Sequence, residues 1–410
     1  MKKLMLLLFV VVVSSNDFTG DQVLRMTPAT EKQVIFLKEW IEKTSLQLDV
    51  WREPGVTGNE VDIHIKAFDL GTVKPMLKQN NIPFKVMMND VGHAVEEERS
   101  SNRKNAFFSR FDYNRYNQYS EIKMEIGNLV RAHRNKASKF TVGRSYEGDI
   151  ISGIKITDGN SVSSKPAIWI DGGIHAREWI STAVVMNFIK LLLTSNSREV
   201  SQALSKYDFY ILPVFNVDGY KYTFTGSRAR FWRKTRSKNG LCIGADPNRN
   251  WDHKWGGIGT SSNPCKDTYH GSYAFSEVEV QNVANYLRQI SNLKAYWSVH
   301  AFSQLVLYPW SWTTKPTGDD SEIKRVADIF VNTVRQRYGT TYRAGQPSTI
   351  LYPATGGSID WVRAKLGVKY SYGLELRDTG KYGFLLPTQL IKPTSEETCD
   401  ALLASINAMQ

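Results

Sequence analysis

A histidine and a glutamate three residues apart, His175 and Glu178, follow an apolar run at Ala167–Asp171. An imidazole and a carboxylate at this spacing can bind one divalent ion if the backbone turns between them, and the glycine pair Gly172-Gly173 permits such a turn. Zinc is the first candidate because it accepts nitrogen and oxygen ligands. Two ligands do not complete a site, so the pair alone could also be a salt bridge at a helix start.

A third ligand can come from His300, which ends another apolar run, Ala295–His300. Two imidazoles and one carboxylate are the protein ligands of a catalytic zinc site that keeps its fourth position open. Glu375 lies near the end of a further run, Lys369–Leu376. Ligands of open α/β sheets bind beyond the carboxyl ends of the strands, so these runs predict one shared site.

The elements that must position these residues alternate along residues 105–410. Continuous apolar strand patterns predict an α/β fold with a mixed, mostly parallel sheet and helices on both faces. The spacing Ser276-x-x-Glu279 predicts a capping box. A strand is expected at Asp208–Asn216, and helices are expected at Tyr119–His133, Ile180–Leu193, Phe275–Ile290, Glu322–Tyr338, Ser358–Leu366 and after Thr394.

A smaller domain is predicted at residues 16–104. Its strand and helix patterns follow the order β-α-β-β-α-β, which is typical of a ferredoxin-like α+β fold with an antiparallel sheet. The predicted elements are Gln22–Met26, Glu31–Lys43, Leu48–Arg52, Val61–Ile65, Leu70–Gln79 and Phe84–Met88. The charged stretch at residues 96–104 is interpreted as a polar helix end or an exposed connector.

The first residues indicate secretion. Lys2 and Lys3 precede an apolar run, Leu4–Val13, and small residues follow it, so residues 1–15 are predicted to be a signal peptide. A second run long enough to span a membrane is missing from the sequence, so no membrane partner is expected. A signal peptide, a compact domain and a basic connector together suggest a zymogen that a trypsin-like protease cleaves near Arg103–Arg110. A two-domain protein with a merely polar linker is the alternative.

The net charge of +12 is confined to the second part of the chain. Residues 105–410 carry 38 Lys and Arg against 26 Asp and Glu. A basic excess can serve binding to polyanions or nucleic acid, but secretion argues against nucleic acid. Three cysteines occur, and we expect Cys242 and Cys265 to form a disulfide while Cys399 stays a buried free thiol.

Five ordered motifs resemble those of the digestive A/B-type zinc metallocarboxypeptidases, and the similarity spans essentially the whole chain. They are His175-Ala-Arg-Glu178-Trp, Phe231-Trp-Arg-Lys-Thr-Arg236, Pro247-Asn-Arg-Asn-Trp251, Tyr352-Pro-Ala-Thr-Gly-Gly-Ser-Ile-Asp-Trp361 and Glu375-Leu-Arg-Asp-Thr-Gly380. The resemblance implies a propeptide domain at residues 16–104 that inhibits a catalytic domain at residues 105–410.

The resemblance also implies a role for each site residue. One zinc ion would be held by His175, Glu178 and His300, with Asp246 orienting His175. Glu375 would be the general base, and Arg233 would stabilise the oxyanion that forms on the scissile carbonyl. The residues expected to bind the peptide substrate are Arg177, Asn248, Arg249, Tyr352 and Ile359.

The substrate-binding residues predict both the bond that is cut and the side-chain preference. Asn248, Arg249 and Tyr352 would bind the C-terminal carboxylate, which restricts the reaction to the last peptide bond. Ile359 stands where the basic-specific branch of the family carries an aspartate, so apolar or aromatic C-terminal residues should be preferred. Gly357 and Gly373 leave room for a large ring.

Two departures and two alternatives remain at this stage. Ser311 resembles the basic-specific branch and could make the pocket more polar, and Ala301-Phe302 replaces an expected serine-tyrosine pair. The alternatives are a catalytically silent protein that binds peptide C-termini and a secreted polyanion-binding protein.

Overall fold

A computed structural model describes residues 17–104, 111–160 and 165–410. The predicted signal peptide, residues 1–15, lies outside the described residues. Residues 105–110, which hold most of the region where activation cleavage is expected, lie outside them as well. The described chain contains two large sheets, each with its own hydrophobic core, and these define an N-terminal unit and a C-terminal unit.

The N-terminal unit has the predicted order of elements and a four-stranded antiparallel sheet. Its strand order is β2-β3-β1-β4, and all pairs in it are antiparallel, which confirms the ferredoxin-like prediction. Apolar residues from the strands and two helices form its core. The elements are β1 (Gln22–Met26), α1 (Glu31–Lys43), β2 (Asp49–Arg52), β3 (Val61–Ile65), α2 (Leu70–Gln79) and β4 (Phe84–Met88).

The charged stretch after β4 belongs to a helix, α3 (Val91–Lys104), that runs through the whole predicted connector. Its apolar residues Val91 and Val95 are fully buried in the core of the C-terminal unit. Glu98 is also buried, with 4% of its surface exposed. The helix therefore attaches the N-terminal unit to the C-terminal unit.

An eight-stranded mixed sheet forms the centre of the C-terminal unit, in the order β13-β12-β14-β11-β7-β8-β6-β5. Four of its pairs are parallel, including β7-β11 and β11-β14, and three are antiparallel. Its strands are β5 (Ala137–Arg144), β6 (Ile150–Ile156), β7 (Ala167–Gly172), β8 (Asp208–Leu212), β11 (Leu293–Ala301), β12 (Leu305–Leu307), β13 (Arg343–Gly345) and β14 (Tyr370–Leu376). Two further strands of two residues each, β9 (Lys238–Asn239) and β10 (Cys242–Ile243), form a separate antiparallel hairpin.

Helices cover this sheet, and every residue of β7 is buried, so neither face of that strand meets solvent. This arrangement confirms the predicted α/β class. The helices are α4 (Tyr119–Ala132), α5 (Trp179–Thr194), α6 (Arg198–Lys206), α7 (Val217–Thr223), α8 (Val278–Gln289), α9 (Asp320–Tyr338), α10 (Pro347–Ile350), α11 (Ser358–Leu366) and α12 (Ile391–Asn407).

Two predicted boundaries and one predicted capping box are wrong, and a side-chain hydrogen bond accompanies each difference. The strand expected at Asp208–Asn216 ends at Leu212, because the Asn216 side chain accepts from the Gly219 N–H and caps α7. The capping box at Ser276 does not form, since the Glu279 carboxylate accepts from the Tyr146 N–H. The last helix begins three residues before Thr394, whose hydroxyl donates to the Leu390 carbonyl.

The cysteines pair as predicted. Cys242 and Cys265 form a disulfide across 23 residues, and Cys399 is a buried free thiol. The loop that the disulfide closes contains residues 246–251, and closing a loop of this length stabilises a fold by about 3 kcal/mol. Within the described ranges, every helix is too short or too polar to cross a bilayer.

Candidate metal centre and cleft

Three neighbouring strands of the sheet bring the predicted ligands and the predicted base, Glu375, together. His175 follows β7, and His300 lies near the end of the neighbouring strand β11. Glu375 is paired in register with His300 on the next strand, β14. The chain can turn sharply after β7 because Gly173 adopts a φ of +66°, and a Cβ there would lie 2.9 Å from the Thr182 hydroxyl. Glu178 then precedes the first residue of α5.

The donor atoms of His175, Glu178 and His300 all lie within 4.8 Å of one another. His175 Nδ1 is 2.7 Å from Glu178 Oε1, and His300 Nδ1 is 3.1 Å from Glu178 Oε2 and 3.2 Å from His175 Nδ1. Both imidazole nitrogens and the carboxylate offer lone pairs. At these distances all three groups can bind one cation. The two nitrogens and one carboxylate fit zinc.

Each imidazole is held from its other nitrogen. His175 Nε2 lies 3.2 Å from Asp246 Oδ1, and His300 Nε2 lies 3.1 Å from the Ser298 hydroxyl. The Ser298 hydroxyl in turn donates to Asp171, the residue opposite it in the β7-β11 register. Such partners leave both Nδ1 atoms available as ligands and orient the rings. Our sequence analysis found Asp246 but missed Ser298 and Asp171.

Asp246 connects the ligands to the cationic side of the cleft. Its Oδ2 accepts from Arg233 Nε at 3.0 Å and Nη2 at 2.8 Å, while its Oδ1 accepts from the Asn248 N–H at 2.8 Å. Burial acts to raise the pKa of Asp246, but Arg233 and Arg249 hold it well below its usual range. The carboxylate is therefore ionised, and it holds the Arg233 guanidinium 4.0 Å from Glu178.

Glu375 and the candidate ligands line one cavity, which has a volume of about 90 Å³. Burial raises the pKa of Glu375 to about 8, with His300 opposing the shift and Glu178 adding to it. A carboxyl with a raised pKa beside a candidate metal site can exchange a proton near neutral pH. A bound cation would lower this pKa and favour the carboxylate.

Asn248 and Arg249 also line the cavity. The Asn248 Oδ1 accepts from the Ser358 N–H at 2.9 Å, so the amide nitrogen of this side chain is the end left for a ligand. Arg249 Nε and Nη1 donate to the carbonyls of Gly259 and Asn248, and the side chain lines the cavity. The Arg249 guanidinium lies 5.9 Å from the ring of Tyr352.

An apolar recess continues from these residues. Ile359, Leu307 and Gly373 line it, and a Cβ on Gly373 would lie 3.7 Å from Leu307. Ser311 also lines the recess, but its hydroxyl and its N–H both donate to Asp360. The hydroxyl proton is thus directed at Asp360, which is not part of the cavity wall. Ser311 therefore does not point its hydroxyl proton into the recess.

The cavity contains residues of the N-terminal unit as well. Trp51 and Arg52 of β2 line it together with the metal-centre residues. The indole of Trp51 packs on Phe231 and Phe384, and Arg52 Nη2 donates to the Ser303 hydroxyl at 2.9 Å. The N-terminal unit therefore closes the cleft directly over the candidate metal centre.

The cavity wall includes every predicted site residue except Arg177 and Asp246, which orients His175 from behind. The Arg177 side chain is 1% exposed and lies under the N-terminal unit, where Nη1 donates to Asp49 at 2.7 Å and Nη2 donates to the Val50 carbonyl at 3.0 Å. In this state Arg177 is covered by the N-terminal unit rather than open to the cleft.

Two family models match the chain. Residues 122–401 match the zinc carboxypeptidase family, and residues 24–98 match the carboxypeptidase activation peptide family. These ranges fall inside the predicted catalytic and propeptide domains. The exact boundaries at residues 15/16 and 104/105 stay predictions.

Curated proteins and solved structures agree with the family models. The chain is 42% identical to carboxypeptidase A1 of Bos taurus over 394 residues, which covers 94% of this chain and 93% of the relative. It is 38% identical to carboxypeptidase B of Homo sapiens over 411 residues, covering 97% and 96%. A crystal structure of carboxypeptidase A from Helicoverpa armigera superposes with a TM-score of 0.87 at 25% identity, covering 95% of this chain and 97% of that one. The structure of thrombin activatable fibrinolysis inhibitor gives 0.85 at 36% identity, covering 95% and 98%.

Proposed function

The chain belongs to the zinc carboxypeptidase family and carries an activation peptide, and we propose that it is a secreted zymogen that, once activated, removes apolar or aromatic residues from peptide C-termini. The observation that carries this proposal is the convergence of two imidazoles and a carboxylate beside Glu375, with Arg233 and Arg249 facing the same cavity. A zinc ion held by His175, Glu178 and His300 would supply Lewis-acid activation of the attacking water and the scissile carbonyl.

The side chains of the cleft would each contribute one step. Glu375 takes a proton from the attacking water and returns it to the leaving amine, since a carboxyl buried this close to the ligands can hold the proton between the two events. Arg233 stabilises the negative charge that develops on the scissile carbonyl oxygen, because Asp246 holds its guanidinium in place before the reaction.

The carboxylate clamp, which we define as Asn248, Arg249 and Tyr352, would bind the C-terminal carboxylate. A guanidinium suits this task because it can donate two parallel hydrogen bonds to a carboxylate. With the clamp at one side of the cavity and the metal centre at the other, hydrolysis is confined to the last peptide bond. Peptide and protein C-termini are the substrates.

The apolar recess would receive the side chain of the C-terminal residue. Ile359 at its floor offers no charge to neutralise Lys or Arg, and Gly373 leaves space between Leu307 and Ile359 for a ring. Burying an unpaired cation against these side chains is costly, so Phe and Leu should be released faster than Arg and Lys.

The N-terminal unit would act as the inhibitor of the zymogen. It fills the cleft with Trp51 and Arg52 and covers Arg177, so a peptide cannot reach the metal centre while it is bound. Cleavage by a trypsin-like protease near Arg103–Arg110 would release it. Secretion rests on the sequence of residues 1–15.

The experiment is a comparison of four peptides after treatment of the full chain with trypsin. The peptides are identical except for a C-terminal Phe, Leu, Arg or Lys, and the released amino acid is quantified. Phe and Leu should be released faster, and only after trypsin treatment. Faster release of Arg and Lys would refute the assigned specificity, and release of no residue would refute the activity.

A further inference from the structure

Part of the basic excess of the C-terminal unit is concentrated in one short stretch of the chain. Between Glu125 and Glu147 the sequence contains five Lys or Arg residues and no Asp or Glu. Four of the five lie close together, and we call these four the basic strip: Arg131, Arg134, Lys136 and Lys139. Three strip residues are exposed, and Lys136 is half-buried. The strip therefore presents its positive charges to solvent.

The strip follows the end of a helix and the beginning of an edge strand. Its first residue lies in the last turn of α4, the next two lie in the turn that follows, and Lys139 lies in β5. Phe140 stacks on Tyr286 of α8, so its neighbour Lys139 points to the opposite face of the sheet. On that face α4 packs beside α5, where Ile122 and Met186 line one small cavity. The four cations thus belong to one surface.

The strip cations differ from other exposed cations in their partners. Within the described residues no carboxylate pairs with any of the four, and the Arg131 guanidinium donates to the neutral side chain of Asn128. Several exposed cations elsewhere form ion pairs, namely Arg228 with Asp17, Lys324 with Asp328, Arg337 with Asp400 and Lys365 with Asp252. Four uncompensated positive charges on one surface create a local positive potential that attracts an anionic ligand.

The shape and surroundings of the strip indicate what kind of anion it fits. Ala132, Asn135 and Ser138, which lie between the cations, are exposed and small or polar. In the described chain no large apolar side chain is exposed between residues 126 and 145. A surface that binds a bilayer adds apolar side chains that enter the acyl region, and the strip lacks them. The extended chain from Lys136 to Lys139 covers about 10 Å, so the charges form a row that suits a linear polyanion.

The strip lies away from the cleft and from the N-terminal unit. β5 is the third strand from β7, the strand that His175 follows, so about 14 Å of sheet separates the two strands. None of the hydrogen bonds or ion pairs that join the two units in the described part of the chain involves residues 131–139. The strip is therefore accessible both before and after activation.

We propose that the basic strip binds a linear sulfated polysaccharide of the extracellular space. Sulfate oxygens accept charge-assisted hydrogen bonds from guanidinium and ammonium groups, and one polymer with repeated sulfates can bind several strip cations at once. The extracellular location rests on the proposed secretion. The strip adds a binding surface to the proposed peptidase and does not depend on the chemistry of the cleft.

The test measures binding of the full chain, without trypsin treatment, to a fluorescently labelled heparin oligosaccharide at several NaCl concentrations. The strip variant combines Arg131→Gln, Arg134→Gln, Lys136→Gln and Lys139→Gln. Its affinity should be lower at least roughly tenfold, and the slope of log Kd against log salt should fall by about three, because fewer counterions are released on binding.

A control variant removes the same net charge from other parts of the surface. It combines Arg228→Gln, Lys324→Gln, Arg337→Gln and Lys365→Gln, each of which removes the cation of an existing ion pair. Its affinity for heparin should change less than roughly twofold, because screened charges distant from the bound polymer contribute little. Equal losses in the two variants would overturn the proposal, since binding would then follow net charge alone.

A far-UV circular dichroism spectrum checks that the strip variant is folded. If it is not, Lys139→Gln alone decides, and it should lower the affinity about two- to threefold, whereas no loss would overturn the strip. Failure of the unaltered chain to bind heparin at about 0.15 M salt would also overturn it, while leaving the carboxypeptidase activity standing.

Competitors decide between classes of polyanion. Vesicles that contain phosphatidylserine and double-stranded DNA are each added at the same concentration of negative charge as unlabelled heparin. Heparin should displace the labelled oligosaccharide most effectively. More effective displacement by the vesicles or by DNA would overturn the assignment to a sulfated polysaccharide.

Discussion

Asp246 contacts three residues of the candidate site, His175, Arg233 and Asn248. One of its oxygens faces His175 and the Asn248 N–H, and the other accepts two hydrogen bonds from Arg233. A single carboxylate therefore positions a candidate ligand, the candidate oxyanion group and the backbone of the carboxylate clamp. Loss of this charge would leave Arg233 buried without its partner, which is costly.

Substitution of the candidate base tests its role. Glu375→Gln keeps the size and polarity of the side chain but cannot carry the proton, so kcat should fall by roughly 10²- to 10⁴-fold. Metal content and peptide affinity should stay near those of the unaltered protein, and both can be measured on the trypsin-treated chain. Near-normal turnover would remove Glu375 from the base role.

The floor of the apolar recess offers a second test. Ile359→Asp introduces a carboxylate that can pair with a cationic side chain, so the ratio of Arg to Phe release should rise at least roughly tenfold. Ile359→Val is the matched control and should keep the preference for Phe. An unchanged ratio in Ile359→Asp would show that this residue does not face the bound side chain.

Residue types and spacing could predict the three candidate ligands and Glu375, because His175 and Glu178 follow one apolar strand, while His300 and Glu375 lie near the ends of two others. The partners of His300 could not be predicted in this way. Ser298 shares a strand face with His300 because the two are two residues apart, but its link to Asp171 depends on the register between β7 and β11. Register between distant strands is not encoded in a local pattern.

At the level of elements, parallel strands and one loop of the N-terminal unit determine the cleft. The loop after β2 passes so close to α10 and Tyr352 that a Cβ on Gly55 would lie 2.3 Å from the Leu351 carbonyl and 2.5 Å from the Tyr352 Cβ. Only a glycine allows this approach. The loop therefore covers a residue of the carboxylate clamp through backbone contact.

Enlarging Gly55 should weaken the inhibition. Gly55→Ala forces the loop away from Tyr352 at an overpacking cost of about 1–3 kcal/mol, so activity without trypsin should rise roughly tenfold. The control is Gly71→Ala in α2, where an added Cβ meets nothing within 4 Å. If the Gly55 variant is as inactive before trypsin as the control, the loop does not maintain latency.

The helices and strands with long apolar patterns were predicted correctly, whereas elements with weak patterns were missed. The β5-β6 hairpin was not predicted, because β5 mixes buried and exposed residues irregularly and β6 is mostly buried without a regular alternation. The start of α8 was misplaced because Ser276 and Glu279 bond to Asn250 and Tyr146, which are distant in sequence. Tertiary partners of polar side chains thus set boundaries that local rules cannot give.

At the scale of the whole molecule, the two units meet through a buried histidine as well as through arginines. His64 is 5% exposed, with Nε2 3.0 Å from Asp21 and Nδ1 3.3 Å from Asp49, and rings of Phe18, Trp51 and Phe231 surround it. Burial acts to lower the pKa of His64, but Asp21 and Asp49 raise it above 6.5.

This arrangement predicts a pH dependence of stability. Because the pKa of His64 is higher in the folded chain than in the unfolded one, its contribution is fully present below pH 6.5 and is lost as the pH rises through the folded pKa. His64→Gln should therefore lower the free energy of unfolding more at mildly acidic pH than at alkaline pH. Denaturant unfolding of the full chain at the two pH values measures this difference.

The opposite ordering, with the larger effect of His64→Gln at alkaline pH, would show that His64 is neutral in the folded chain.

Asp49 sets the acidic limit of the same contacts. Burial opposes the shift, but Arg177 and His64 lower the pKa of Asp49 to about 2, so its contribution is present above 3.8 and is lost as the pH falls through about 2.

The most direct test of a metal-dependent site that recognises a free carboxylate is one hydrolysis assay by mass spectrometry. The trypsin-treated chain is incubated with a peptide that ends in Phe and with its C-terminal amide, before and after a chelator and after added zinc. The free peptide should lose Phe, the amide should stay intact, the chelator should abolish the loss of Phe, and zinc should restore it. Equal cleavage of the amide, or activity that survives the chelator, would contradict the account.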